Sequence, residues 1–382
     1  MVHNNIRIKM FPAKSGDCFL IEFTKAGFRI LIDGGFVDTY RRYLRQYLVN
    51  MGREGIHINL LIITHIDQDH INGIRALLKE NGNAQMPDII YIDEVWFNGF
   101  VHTGTLRGRQ EVPYYEESVL QTMAGKNRLR DKDSGTNEIS FAQGESIARL
   151  LARNGYNWNT SVGGNAICTN FSKKIKMGDI ELQILNPTQQ ILNDLAKEWI
   201  GSLKSKCRQV VISENHLFDD AFEGFYINGN EDWSVVEKKI SADDAACLYD
   251  WNLLAEQEDE KTDSKKVNWS SIAVLISYAG TKLLFPGDCP MSVFKGKLPD
   301  KIDIVKLPHH GSGKNMDKDF IRKTCVSYYL VSTDGRHTSH PSPKVIANIL
   351  VNAPGKPEII KNYDIAILNG IGRLEGESFD EC

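Results

Sequence analysis

The chain has 382 residues, 42% of them hydrophobic and 25% charged, with a formal net charge of −4. That length supports a large core and suggests about two domains, although one elaborated domain also fits. The near-balance of charge excludes a global field that would coat nucleic acid or a membrane, and no window approaches the roughly 18 apolar residues of a membrane span.

The first third alternates strands and helices. "IRIKMF" (6–11), "CFLIEF" (18–23) and "FRILID" (28–33) are rich in β-branched and aromatic residues, are split by Gly-containing turns, and predict strands. "TYRRYLRQYLVN" (39–50) spaces Tyr40, Tyr43, Leu44, Tyr47 and Leu48 at three and four, an amphipathic helix. "INLLIIT" (58–64) predicts a strand, "INGIRALLKENG" (71–82) a helix ended by Gly82, and "DIIYIDEVWF" (88–97) a further strand. This alternation predicts a layered α/β fold. Residues 104–170 hold a turn-rich, locally basic loop and a helix around 143–153, and 175–187 predicts a hairpin turning at Gly178-Asp179. Residues 188–266 read as inserted: they open with the helix "TQQILNDLAKEW" and close in "EQEDEKTDSKK" (256–266), a charged run expected to be a solvated loop. Then come a hairpin over 270–288, the strand-loop "KIDIVKLPHHGSG" (301–313), the strand "VSYYLVST" (326–333) and a helix opened by Pro343.

Several of these strands end alike. "RILID" ends at Asp33, "LLIIT" just before His65, "KLLFPG" at Asp288, "IVKLP" at His309-His310, and "LVSTDGRHTSH" near His337 and His340. In open α/β folds the carboxyl ends of strands converge on one crevice. A lone Asp after a strand is usually a turn or cap residue, and His3, His57, His102 and His216 read as ordinary partnered side chains. "HIDQDH", with His65, Asp67, Asp69 and His70 in six positions, is different. Groups so crowded would repel one another and desolvate badly unless a cation sat among them.

"THIDQDH" with Gly73 resembles the signature loop of the metallo-β-lactamase fold, with "LIDGG", "FPGD" and "HHGS" following that fold's order. "SGDCFLIEF" (15–23), Asp67, "NWSS" (268–271), "PHHGS" (308–312) and "SHP" (339–341) resemble one branch in particular, the soluble domain of ComEC, the DNA-uptake channel protein of competent bacteria. The resemblance implies an α/β four-layer αββα sandwich: a single domain over 1–382 with insertions at about 104–170 and 188–266, and one or two divalent ions, manganese or zinc with magnesium also admissible. It implies that His65 and Asp67 hold one ion, Asp69 and His70 the other, that Asp288 bridges both, and that His310 completes the second. Asp69 then belongs to the catalytic set, His340 is the candidate for proton donation or phosphate contact, and Asp33 orients a ligand histidine. Ions about 3.5–4 Å apart can activate a hydroxide for hydrolysis. Two departures stand out. Asp67 replaces the usual His, shifting preference toward harder ions, and no His after a suitable strand supplies the ligand expected between the signature loop and Asp288. Water, His309 or a substrate oxygen would close that shell.

A phosphodiester is the substrate that fits best, so a metal-dependent phosphodiesterase or nuclease is expected, with nucleic acid as partner. Arg107, Arg109, Lys126, Arg128, Arg130, Lys204, Lys206 and Arg208 are the basic residues that could flank the crevice. The alternatives are a metallohydrolase of a lactone, lactam, thioester or peptide, or a non-catalytic subunit of a bacterial defence-type complex whose insertions grip a protein partner. Membrane contact is not expected. Seven scattered cysteines without a CxxC pair, and an N-terminus without a secretory signal pattern, predict reduced thiols in the cytoplasm.

Overall fold

The computed structural model describes residues 1–106, 108, 114–125, 145–207, 212–229, 249–258, 260–336 and 340–374. Strands β1 (Val2–His3), β2 (Ile6–Met10), β3 (Phe19–Phe23) and β4 (Phe28–Ile32) form an antiparallel meander. Helix α1 (Val37–Thr39) runs through a π turn at Tyr40–Leu44 into α2 (Arg45–Arg53), so the helix expected over 39–50 contains one wide turn. β5 (Ile58–Ile62) then returns parallel to β4, and α3 (Gln68–Asn81) leads to β6 (Ile92–Trp96), parallel to β5. These strands form one sheet in sequence order.

The second sheet is built from the rest. After α4 (Tyr114–Gly125) and α5 (Ile147–Asn154), β7 (Lys174–Met177) and β8 (Ile180–Asn186) make the expected hairpin. Helices α6 (Gln189–Lys206), α7 (Leu217–Gly229), α8 (Trp251–Glu256) and α9 (Lys266–Trp269) precede the hairpin β9 (Ala273–Tyr278) and β10 (Thr281–Phe285). β11 (Lys301–Lys306), α10 (Lys318–Lys323), β12 (Cys325–Val331), α11 (Pro343–Asn352), β13 (Glu358–Lys361) and β14 (Gly372–Leu374) follow. The sheet order is β14-β13-β12-β11-β10-β9-β8-β7, and β10 through β14 run parallel.

Side-chain alternation sets the layers. Ile30, Ile32, Leu60 and Ile62 pack between the sheets against Val274, Ile276, Leu283 and Phe285. Leu31 and Leu61 point the other way, beneath Leu48, Ile74, Leu77 and Leu151 of α2, α3 and α5. On the far sheet Leu284, Val305 and Tyr329 lie under Phe320, Ile321, Val345 and Ile346 of α10 and α11. The result is helix, sheet, sheet, helix: the four-layer α/β sandwich that was expected. Burial on both faces explains why Leu60–Ile63 is an unbroken apolar run.

Three expectations change. α3 begins at Gln68, because Asp67 (φ −81, ψ 145) takes the N-cap position, so Asp69 and His70 lie in its first turn. The strand expected over 88–97 is only Ile92–Trp96; before it, the Asn81 side chain binds the amides of Ile89 and Ile90 (3.1 and 2.9 Å) and holds them out of the sheet. The charged run 256–266 is mostly exposed, but Asp263 within it is buried.

The helical parts of segments 104–170 and 188–266 pack on the core and on each other. Leu195, Trp199, Phe218 and Phe222 join the same cluster as Ile74 and Leu61. Two acids of α7 cap the start of α5: Asp220 accepts from Ser146 N (2.9 Å), and Glu223 from Ile147 N and Ala148 N (2.6 and 3.0 Å).

Candidate metal centre

The strand ends of the two sheets face one another, and the imidazoles meet there in a row. Neighbouring ring centroids are 4.2 Å apart for His65 and His70, 5.5 Å for His70 and His310, 5.7 Å for His310 and His309, and 5.3 Å for His309 and His340. Half of the chain's 10 histidines therefore stand side by side.

Close backbone contacts fix the row. Gly34 N donates to His70 O (2.9 Å) and Gly73 N to Gly35 O (2.8 Å), clamping α3 onto the Asp33 loop. A Cβ at Gly73 would collide with the Gly34 carbonyl oxygen, and one at Gly16 with that of Asp69. Only glycine permits either approach.

Three of the rings are also held through Nδ1. His70 Nδ1 donates to Asp33 Oδ2 (2.8 Å), and His310 Nδ1 to the carbonyl of Ser332 (3.0 Å). Thr64 gives its hydroxyl proton to Asp33 Oδ2 (2.7 Å), so its oxygen must accept from His65 Nδ1 (3.0 Å). In all three rings Nδ1 carries a proton, so Nε2 is the nitrogen that can bind an ion once it has given up any proton of its own. These three Nε2 atoms are buried and make no hydrogen bond among the described residues. They lie 3.8, 3.4 and 3.8 Å from one oxygen, Asp288 Oδ2. Such distances are too long for hydrogen bonds. They approach the roughly 3.0–3.5 Å between ligands that share an ion at ~2.1 Å. Asp33 itself is fully buried, with its other oxygen on Thr64 N (2.8 Å), and so orients His70 rather than facing the crevice.

The remaining acids complete the surround. Asp67 Oδ2 is 3.7 Å from His65 Nε2, and Asp69 is 4.0 Å from His70 Nε2 and 3.6 Å from His310 Nε2. Three groups of possible ligands result: His65, His70 and Asp288; Asp69, His70 and His310; and, on the far side of the His70 ring, Asp17, Asp33 and His70, where Asp33 already accepts from His70 Nδ1. All six residues expected to hold metal are thus brought together, with His70 shared by all three groups and Asp67 at the margin beside His65. The donor set, imidazole nitrogen with carboxylate oxygen, fits a divalent transition ion.

Two residues without a role from sequence stand behind Asp288. Lys306, buried, pairs with Asp17 and lies 3.6 Å from Asp288 Oδ1 and 3.2 Å from Gly287 O. It occupies one side of the Asp288 carboxylate, so Oδ2 is the oxygen turned to the imidazoles. Burial opposes ionisation of Asp288, but His70, His309 and His310 outweigh it and hold its carboxyl well below the ordinary range. Asp17 is likewise held low, by Lys306 and then His310 and His70, against burial. In return, burial would lower His310, yet Asp288 and Asp17 raise it to about 9. The "SGD" of residues 15–17 was the visible signal for Asp17; a strand-end Lys reads as an exposed charge, so Lys306 gave none. "NWSS" also finds its use, since Ser271 Oγ accepts from Asp288 N at 3.2 Å.

His340 stands at the end of the row. Burial, followed by His309 and His310, pushes it down to about 3, so near pH 7 it is neutral and offers one N–H rather than a cationic proton. Its Nδ1 makes no hydrogen bond among the described residues. His102 is held elsewhere, by Asn159 (3.3 Å), and His216 lies beside Asp219 (3.3 Å). Of the basic residues, Lys204 and Lys206 are exposed in the last turn of α6; Arg107, Arg109, Lys126, Arg128, Arg130 and Arg208, like His337, lie outside the described residues.

Strand ends carry His-x-Asp-x-Asp-His opposite a buried Asp-and-His pair, across an αββα sandwich, and one comparison bears on the first of these. Residues 12–122 match the family described as Metallo-beta-lactamase superfamily. The matched stretch carries β3 to β6, the clamped Asp33 loop and the helix bearing Asp69 and His70; Asp288, His309 and His310 come from residues beyond it. Microtubule-associated protein 1A of Rattus norvegicus and that of Mus musculus are each 33% identical over 70 residues, 18% of this chain. The chain spans 2% of those proteins' length, and a likeness so short says nothing of activity. No described helix is long and apolar enough to cross a membrane.

Proposed function

We propose that this protein is a metal-dependent hydrolase acting on phosphodiesters, most closely akin to the nuclease-like branch typified by the soluble ComEC domain. The observation that carries the reading is the set of Nε2 atoms of His65, His70 and His310, each ring held through Nδ1, around Asp288 Oδ2. One or two divalent ions held there would supply Lewis acidity and water activation. The chain's own residues do the rest. Asp33 and Ser332 orient imidazoles, Lys306 turns Asp288, and Asp69, within reach of both His70 and His310, is the acid placed to accept a proton at the crevice. Asp67 in place of an imidazole adds a hard oxygen, which favours Mn²⁺ or Mg²⁺ and a phosphate-oxygen substrate. Nucleic acid is the substrate class this implies, with His340 available as a neutral donor to a phosphate.

The test is cleavage of single- and double-stranded DNA, RNA and a generic phosphodiester with Mn²⁺, Zn²⁺ or Mg²⁺, alongside Asp69→Ala. Loss of at least about 100-fold in the variant is expected. Turnover of lactone, thioester or peptide substrates without phosphodiester cleavage would move the activity to another bond. Silence of the metal-loaded protein on every substrate would favour a non-catalytic binding role.

A further inference from the structure

One imidazole of the row has no assigned task. His309 Nε2 lies 3.6 Å from Asp288 Oδ2, within the span of 3.4 to 3.8 Å set by His65, His70 and His310. Neighbouring residues in a regular chain send their side chains apart. Here His309 (φ 47) and His310 (φ 57) are both left-handed, a conformation that non-glycine residues adopt only when the surroundings impose it. The double turn brings both rings onto the same carboxylate.

The back of the His309 ring is equally determined. Asn315 Nδ2 donates to the carbonyl of Asp288 (2.8 Å) and to Asp263 Oδ2 (3.1 Å). Both are acceptors, so the amide cannot be turned round, and its Oδ1 faces His309 Nδ1 at 3.1 Å as the acceptor. Asp263 Oδ2 lies 3.6 Å from the same nitrogen. Nδ1 must therefore carry a proton, and Nε2 points at Asp288, as in the other three rings. Unlike them, His309 is 24% exposed, on the open side of the crevice.

Asp263 is itself pinned. Its amide donates to Lys314 O (3.1 Å) and its carbonyl accepts from Trp269 Nε1 (2.6 Å). Its carboxylate accepts from Lys265 N (2.9 Å) and Asn268 Nδ2 (2.6 Å). Among the described residues it is the one buried acid in a run of mostly exposed charge, at the tail of segment 188–266.

We propose that His309 is the ligand completing the shell that His65 and Asp67 leave short, and that Asp263, acting through the Asn315 pair, is the residue that positions it. This rests on the metal-dependent reading above and deepens it: the tail of segment 188–266 is part of the metal centre.

The experiment is a Co²⁺ titration of the metal-free protein, following bound metal by elemental analysis and coordination by the visible d–d bands. Wild type is compared with His309→Ala, Asp263→Ala and Asp263→Glu, with exposed His57→Gln as control. His309→Ala should weaken one ion by about 10–100-fold and change the band shape. Asp263→Ala should weaken the same ion by about 10-fold, Asp263→Glu should restore it, and His57→Gln should match wild type. Melting of the metal-free variants reports whether they fold, and His309→Gln supplies the same comparison where alanine does not. A folded His309 variant with wild-type affinity and spectrum would overturn this assignment and leave the hydrolase reading standing. Wild-type protein that takes up neither Co²⁺ nor Mn²⁺ would overturn both.

Discussion

The strand-end centre and the junction of α5 with α7 both bury carboxylates, and they treat them oppositely. At the centre, Asp17 and Asp288 are held far below the ordinary range, because Lys306 and three imidazoles outweigh burial. At the junction, burial pushes Glu223 up to about 8, although the amides of Ala148 and Ile147 and the charge of Arg75 pull the other way. Backbone dipoles at a helix start satisfy hydrogen bonds without equalling a full counter-charge. The junction closes on itself, every oxygen of Glu223 being used on an amide. The centre does not close in this way: the Nε2 atoms of His65, His70 and His310 make no hydrogen bond among the described residues and face one carboxylate oxygen instead.

Removing the central carboxylate is the strongest way to break that contrast. Asp288→Ala removes the common partner of the surrounding imidazoles and one of the two carboxylates beside Lys306, and should lower metal-free stability by about 3–5 kcal/mol in denaturant unfolding. A loss below about 1 kcal/mol would mean that the centre holds its charges no more tightly than an exposed ion pair. Glu223→Ala should cost less, about 1–3 kcal/mol, from two buried amides left unpartnered, and should leave Co²⁺ affinity unchanged. Equal damage to metal uptake would mean that the two regions are one unit.

The finest test is pH. His310, raised from 6.5 to about 9 in the fold, stabilises the metal-free protein below pH 6.5, and that contribution disappears as pH rises through 9. Divalent-ion affinity should run the other way, increasing between pH 6.5 and 9 as protons leave the nitrogens. Glu223, raised from 4.5 to about 8, should make stability fall between those values, a slope that Glu223→Gln flattens. Metal affinity with no pH dependence would remove the centre's proton-for-cation character.

The sheets and the acid-and-imidazole tips were legible because their signals are local: period-two burial in "IRIKM", an apolar run before "THIDQDH", Gly-Asp and His-His at strand ends. The start of α3 was misjudged because Asp67 offers a cap signal that looks identical to a ligand signal. Lys306 and Asp263 were illegible for a different reason. Each looks solvated by type and neighbours, and only the meeting of distant segments buries it. Composition reads the average of "EQEDEKTDSKK" correctly and misses Asp263, which departs from it.

Asp288 and Lys306 lie on the second sheet, more than half the chain away from His70. During synthesis Asp17 therefore emerges before its partner Lys306, and His70 and Asp69 before Asp288 and His310. Long-range pairings of this sort form slowly. The cation cage is then among the last features to mature, and a ribosome stalled before β10 would release a chain with half a coordination sphere and no means of closing it.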